Sequence, residues 1–272
     1  MCEFCTQHGD GKKWYENMEN YTREVFSQVS SEEKLKKYLR GFRRRLSFWP
    51  FAAYWFKQRI PAIYDSLVYP RVTSSLKKHH FGQVIPLEDA ENILENVGTI
   101  VQFPCVCRRV ISRRELGYCL GVGMDMTEIV KDVPDFSNYQ LLSTEEAVNL
   151  VRQLEGEGMM HSIWTFETPF IGGMCSCDRN CMAYNVQVRM KIGRAMWRAE
   201  YVAEIETESC SGCRRCEKSC LFEAVEYNRV EKKCSINMNN CYGCGICRTF
   251  CHKNAITLSD RKYHFGDNHV IW

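Results

Sequence analysis

The chain has 272 residues, 45% of them hydrophobic and 25% charged, with a formal net charge of +3, enough for one large or two modest domains with a sizeable core. Its apolar run Phe48–Phe56 is interrupted by Pro50 and falls far short of the roughly 20 residues that cross a bilayer. Seventeen cysteines would suggest a disulfide framework in a small secreted protein; the number is odd, and the opening Met1-Cys2-Glu3-Phe4-Cys5 lacks the basic and apolar regions of a secretory signal.

In chain order, the first feature is Cys2-x2-Cys5-x2-His8, two thiols and an imidazole that could complete a metal site from elsewhere in the fold. It is not a c-type haem motif, which needs His directly after the second cysteine. The stretch 34–78 carries twelve Lys and Arg against one acid, Asp65, with Phe42, Phe48, Trp49, Phe51, Tyr54, Trp55 and Phe56 interleaved. Three readings are open for it: contact with a membrane surface, docking to an acidic protein partner, or a helix with aromatics inward and charges in water. Nucleic acid is not expected, because no recognised binding motif accompanies the charge.

Residues 86–97 have the apolar spacing of a helix, stopped by Gly98, and Ile100–Phe103 reads as a strand. Pro104 then leads into Cys105-Val106-Cys107-Arg108. A comparable order returns later: a Ser143/Glu146 capping box opens a helix, Met160–Phe166 reads as a strand, and a glycine pair precedes Met174-Cys175-Ser176-Cys177. If the two units pack alike, both Cys-x-Cys arms reach a common place. Cys105, Cys107, Cys119, Cys175, Cys177 and Cys181 are therefore a candidate third metal site. A single cubane uses only four of six thiolates, and burial of some as small apolar residues is the plain alternative. Gly172 and Gly173 would let backbone approach a bulky cofactor. Arg108, Arg109, Arg113, Arg114 and Arg179 put positive charge nearby, suited to offset thiolate charge or to grip an anion. His161 is either a ligand or, more simply, a core histidine.

The densest signal comes last. Cys210-x2-Cys213-x2-Cys216-x3-Cys220 repeats as Cys241-x2-Cys244-x2-Cys247-x3-Cys251, offset by 31 residues at all four positions. Three cysteines at i, i+3 and i+6 let one short turn hold three corners of an iron–sulfur cubane. Zinc, with its paired ligands, has no use for the third cysteine. Cys234 lies outside both runs and reads as packing.

Residues 209–258 resemble the bacterial-type two-cluster ferredoxins, and Ala224-Val225 and Ala255-Ile256 fall where that family starts a strand. The resemblance implies two [4Fe-4S] clusters with the fourth cysteine of each run crossing over: Cys210, Cys213, Cys216 and Cys251 on one, Cys241, Cys244, Cys247 and Cys220 on the other. Leu221 and His252 replace the family's proline after each run, so its redox potential does not transfer. Residues 84–258 loosely resemble uncharacterised iron–sulfur proteins of anaerobes, through Pro104–Arg108, Cys119–Gly121 with Gly123, Glu145–Ala147, His161 and Cys175–Cys181. That resemblance implies iron–sulfur binding and no particular reaction.

The expectation is an α+β chain: a basic, aromatic-rich helical segment (1–83), a cysteine-rich α+β domain (84–205), and a two-cluster ferredoxin module with its tail (206–272). Its function would be single-electron relay to or from a partner oxidoreductase or complex in the cytoplasm of an anaerobe, with membrane-surface contact through 34–78 as a further reading. The alternative is a redox enzyme or subunit whose middle domain is fed by the module. A radical SAM enzyme is disfavoured because no Cys-x3-Cys-x2-Cys occurs, and no Walker or GxGxxG loop is present.

Overall fold

The computed structural model describes residues 13–114 and 117–266; the Cys2, Cys5 and His8 group lies outside them. At its centre is a seven-stranded sheet of β1 (Gly82–Ile85), β2 (Thr99–Phe103), β3 (Cys119–Gly123), β4 (Gln140–Leu141), β5 (Met160–Thr165), β6 (Ile171–Cys177) and β7 (Met196–Trp197). The order across the sheet is β4-β2-β3-β6-β5-β1-β7. Neighbours run antiparallel except β1 and β7.

Side chains alternate across this sheet, and the alternation sorts its two faces. The cross-strand pair Ile163 and Met174 faces the helices Leu87–Asn96 and Thr144–Gly156. There Ala90, Ile93, Leu94, Ala147, Val148 and Val151 close a core. The Ser143/Glu146 capping box forms as expected. A cap contributes about 1 kcal/mol, whereas each buried aliphatic side chain contributes about 1.5–3 kcal/mol, so packing holds this helix on the sheet. The pair Met160 and Cys177 faces the other way, into a core shared with Val84, Trp164 and Cys181.

The structure extends one expectation and corrects two others. Residues 171–177, which the sequence marks only as a glycine pair and a Cys-x-Cys arm, form a central strand, because β3 and β5 satisfy its backbone on both sides. The N-terminal segment is not a separate unit: Trp14, Tyr15 and Tyr21 are buried in the central core, and Phe26, Leu35 and Leu39 pack against Val101 and Phe103. Lys13 and Tyr15 also hold Asp89 through hydrogen bonds of 3.1 and 2.5 Å. The second correction is the boundary at 205/206, since β8 (Tyr201–Ile205) pairs with β11 (Ile256–Asp260) and so belongs with the C-terminal module. That module adds the hairpin of β9 (Val225–Asn228) and β10 (Lys233–Ile236) and the short helices Arg215–Ser219 and Ile246–Thr249.

Candidate iron–sulfur sites

The 31-residue repeat extends beyond the cysteines into the backbone. Gly212 and Gly243 both take left-handed φ, as do Arg214 and Gly245, and Glu223 and Asn254. At the first pair no other residue fits: a Cβ would stand 2.0 Å from the Lys232 carbonyl oxygen or 2.1 Å from that of Tyr201. These turns let each Cys-x2-Cys fold tightly around its own centre. Both glycines were visible in the repeat, and reading the cysteines alone missed them.

Each half of the module frames one small cavity. Cys210, Cys213, Cys216 and Cys251 line the first, with Ile205, Ala255 and Ile256. Cys220, Cys241, Cys244 and Cys247 line the second, with Phe222, Val225 and Ile246. The fourth cysteine of each run thus stands with the first three of the other. Backbone N–H groups already point at sulfur: Ala203 and Gly243 donate to Cys241 Sγ at 3.4 Å, and Ala224 donates to Cys220 Sγ at 3.3 Å. Burial pushes the Cys216 thiol up to about 12, and burial also raises Cys241, Cys244 and Cys247. Iron would have to displace those protons, which couples its binding to pH. Four sulfurs around an apolar void with amide donors suit a thiolate-ligated cubane.

Three residues here sharpen or amend the sequence reading. Cys234 is buried, but it lines the first cavity and contacts Cys216. His252 places Nδ1 3.7 Å from Cys213 Sγ. Arg261, which no motif announced, is 2% exposed and donates to the carbonyls of Ala199, Tyr201 and Cys241.

The six middle cysteines converge. Cys105 precedes the short helix Val106–Ile111, which carries Cys107, while Cys119 opens β3 opposite Cys175 on β6. Two residues further along β6, Cys177 points to the same face as Cys175, and Cys181 begins the next turn. Their thiols gather in a ring: Cys177 stands against Cys181 and Cys119 against Cys175, while Cys105 couples electrostatically to Cys107 and Cys119, Cys107 to Cys181, and Cys177 to Cys175. The sulfurs of Cys177 and Cys181 lie 2.8 Å apart and those of Cys119 and Cys175 3.9 Å apart. Contacts with Cys107 and Cys119 lower the Cys105 pKa, whereas Cys107, Cys119, Cys175 and Cys177 are raised. Neighbouring thiolates oppose joint ionisation, so full ionisation of the ring requires a cation. Among the described residues no group of three His, Cys, Asp or Glu is disposed to hold a single metal ion; ligands of a multi-iron core each take their own iron instead.

Both Cys-x-Cys arms meet, but not by symmetry, since one enters a helix and the other lies in a strand. The glycine pair makes room for aromatic rings: a Cβ on Gly172 would meet Phe166 and Phe170 at 2.9 Å, and Gly173 lies beside Phe166 and Leu120. Arg108, 2% exposed, donates to the Ser176 carbonyl at 3.1 Å, lies 3.7 Å from Cys105 Sγ and pairs with Asp178 at 3.1 Å. Burial opposes its charge, but Cys105, Asp178 and Cys177 outweigh that and raise its pKa. Arg179 donates to the Cys220 carbonyl at 3.2 Å. Arg109 pairs with Asp135 at 2.8 Å, and Arg113 and Arg114 are exposed. His161 points to the opposite face from the thiols, 3.0 Å from Ser176 Oγ and 3.4 Å from Glu155 Oε2, and is no part of the ring.

The ring abuts the second cavity. Cys177 and Cys181 share one apolar core with Leu221, Phe222 and Ile246, and Cys175, Cys220 and Cys244 pack at its edge.

Residues 209–256 match the 4Fe-4S dicluster domain. The C-terminal module is a ferredoxin-type iron–sulfur module. Its relatives include Ferredoxin-3 of Nostoc sp., 27% identical over 25% of this chain and 88% of that protein. Another is the archaeal-type glutamate synthase [NADPH] of Dehalococcoides mccartyi, 24% identical over 26% of this chain and 14% of that protein. The chain thus covers a small part of the second relative and most of the first. Iron–sulfur electron transfer is the activity this module supports. No helix of the described residues is long and apolar enough to cross a membrane.

Proposed function

We propose that this protein relays single electrons between a partner oxidoreductase and its own middle domain. The path uses two [4Fe-4S] clusters, one on Cys210, Cys213, Cys216 and Cys251 and one on Cys220, Cys241, Cys244 and Cys247, with a third iron–sulfur site at the six-thiol ring. The observation that carries this is the shared core in which Cys177 and Cys181 pack with Leu221, Phe222 and Ile246, edged by Cys220 and Cys244. Arg179 adds a hydrogen bond from the ring's own loop to the backbone of Cys220. The cluster framed by Cys220 is therefore the donor or acceptor next to the ring, and the cluster framed by Cys210 faces outward, where Cys213 is exposed. Likeness to part of a named synthase supports service to a larger oxidoreductase complex, in an anaerobic cytoplasm that spares exposed thiolates from oxidation.

The test is anaerobic purification with iron and sulfide counting. About 8 Fe per chain confines the clusters to the C-terminal module, and about 12 or more requires a third site. Replacing Cys175 and Cys177 with Ser removes the excess iron on this reading; unchanged iron returns those residues to packing. Stoichiometric zinc without acid-labile sulfide overturns the relay altogether.

A second reading, a redox enzyme, has one observation in its favour. An open depression of about 470 Å³ is lined by Arg43, Ser47, Arg109, Val110 and Arg113, from the helix Phe42–Arg59, the helix that carries Cys107 and the residues just after it. Its size suits a small ligand; Asp135 pairs with Arg109 at 2.8 Å and with Arg43 at 3.6 Å, so Arg113 is the arginine that would meet an anionic one. Turnover of an anionic substrate with a reduced low-potential donor, lost in Arg113→Ala while iron content is kept, would favour the enzyme over the relay.

A further inference from the structure

We propose that all six ring thiolates hold one iron–sulfur cluster containing more than four irons. This rests on the third-site reading and goes beyond it in nuclearity. A cubane takes four thiolates, so a cubane here would leave two of the six unused. The ring marks no such pair: Cys177 stands against Cys181 and Cys119 against Cys175, and Cys105 and Cys107, at the start of one short helix, each couple to a member of one of those pairs. The six come from three separate stretches of chain, 105–107, 119 and 175–181, and the sheet register places Cys119 opposite Cys175. Chance burial of small apolar residues does not require that convergence.

The measurement is iron and sulfide content of the anaerobically reconstituted full chain, followed by single Cys→Ser variants at all six positions. More than about 12 Fe in the parent protein is expected, since the module accounts for about 8 and a cubane would add about 4. Every one of the six variants should lose iron from the third site while the module's own reduced-state electron paramagnetic resonance signals persist, which shows that the chain has folded. About 12 Fe, with two of the six variants retaining it all, means a four-thiolate cubane and overturns this inference while leaving the third site standing. About 8 Fe, unchanged in all six variants, fails the third site itself. Two zinc ions on the six thiolates without added sulfide also overturn it.

A different observation carries a second inference. Of the eleven exposed large hydrophobic residues among the described ones, eight lie between 48 and 67: Phe48, Trp49, Phe51, Tyr54, Trp55, Ile60, Ile63 and Leu67. They lie on the helix Phe42–Arg59, at Ile60, and on the return, which begins as the single helical turn Pro61–Ile63, passes through the π-helical segment Tyr64–Val68 and continues as the helix Tyr69–His79. Monomeric soluble proteins rarely leave so large an apolar patch uncovered. We infer that this hairpin tip lies in the surface of an anionic bilayer. Phe48, Phe51 and Trp55 follow at i, i+3 and i+7 along one face of the helix, flanked by Trp49 and Tyr54, the arrangement of a helix lying in an interface. Arg40, Arg44 and Arg59 are exposed around them, Arg59 3.8 Å over the Trp55 ring, and the segment's one acid is taken by Lys57 at 2.6 Å. Aromatics at headgroup depth with arginines reaching phosphate are how interfacial helices bind.

Flotation of the iron-loaded full chain with vesicles tests this. Binding to phosphatidylcholine vesicles containing phosphatidylglycerol, weak binding to phosphatidylcholine alone, and loss of binding in the double variant Trp49→Ser, Trp55→Ser with iron content unchanged are expected. Absence from the floated fraction overturns the inference, whether the chain then runs as a monomer or as a dimer with the tips buried against each other. Equal binding by the double variant overturns it too.

Discussion

The C-terminal module and the middle ring both gather cysteines, but they hold them differently. In the module the sulfurs surround a void, and the void is framed by local turns in which Gly212 and Gly243 fit where a Cβ would strike a carbonyl. In the ring the sulfurs touch, and they are brought together by long-range pairing of β3 with β6 and by the turn after β6. Local turns fix ligand positions before metal arrives, whereas the ring depends on the whole sheet being in register and on a cation to separate its thiols. The module is thus a self-contained cage, and the ring is a property of the assembled fold.

The two kinds of site should fail differently. Gly243→Ala is expected to cost the cluster framed by Cys241, about 4 Fe per chain, because its Cβ would stand 2.1 Å from the Tyr201 carbonyl oxygen; iron counting reads this directly. Full retention of iron would mean that local turns do not build the cage. On the ring side, Arg108→Ala leaves Asp178 and the Ser176 carbonyl without their buried partner. A loss of about 3–5 kcal/mol is expected, seen as a lower denaturant midpoint with the module's cluster signals intact in the folded protein. If the midpoint is unmoved, the ring does not depend on its guanidinium.

This contrast also governs what could be read from the sequence. The module was legible because its ligands, its spacing and its repeat are all local, and the fold followed from them. The six middle cysteines could be named as candidates, but not their gathering in a ring, because that depends on β3 and β6 being neighbours although more than 50 residues separate Cys119 from Cys175. The strand at 171–177 was hidden behind its glycines, which make room for Phe166 and Phe170. Trp14 and Tyr15 gave no sign that they enter the central core, since apolar residues near a chain end carry no periodic pattern. Arg261 was invisible for a similar reason: its three carbonyl partners are set by the pairing of β8 with β11.

Acid should separate the regions further. His80 lies between Trp164 and Phe166, ring centroids 5.0 and 4.9 Å away, with Nδ1 donating to the Thr165 carbonyl at 2.7 Å. Burial lowers its pKa to about 4, below the unfolded value of about 6.5. Between those values the unfolded chain binds the extra proton, so stability is present above about pH 6.5 and is lost as pH falls toward 4. The residue as a whole is half-buried, so about 1–2 kcal/mol is the expected size, from about 1.4 kcal/mol per pKa unit reduced for screening. His80→Phe should flatten this slope in denaturation midpoints measured from pH 4 to 7. An unchanged slope would place the acid sensitivity elsewhere.

The finest distinction lies inside the module. His252 stands where related ferredoxins carry proline and approaches Cys213 Sγ at 3.7 Å, whereas the equivalent Leu221 is buried in the core shared with the ring. A donor beside a ligand sulfur stabilises the reduced, more negative cluster, so His252→Ala should lower the potential of the outward cluster. A hydrogen bond contributes about 0.5–1.5 kcal/mol, and for one electron a tenfold change is about 59 mV, which gives a shift of roughly 20–60 mV. Redox titration followed by electron paramagnetic resonance should show the shift in one cluster only. An equal shift in both would mean that the histidine acts through the charge of the whole module rather than through Cys213.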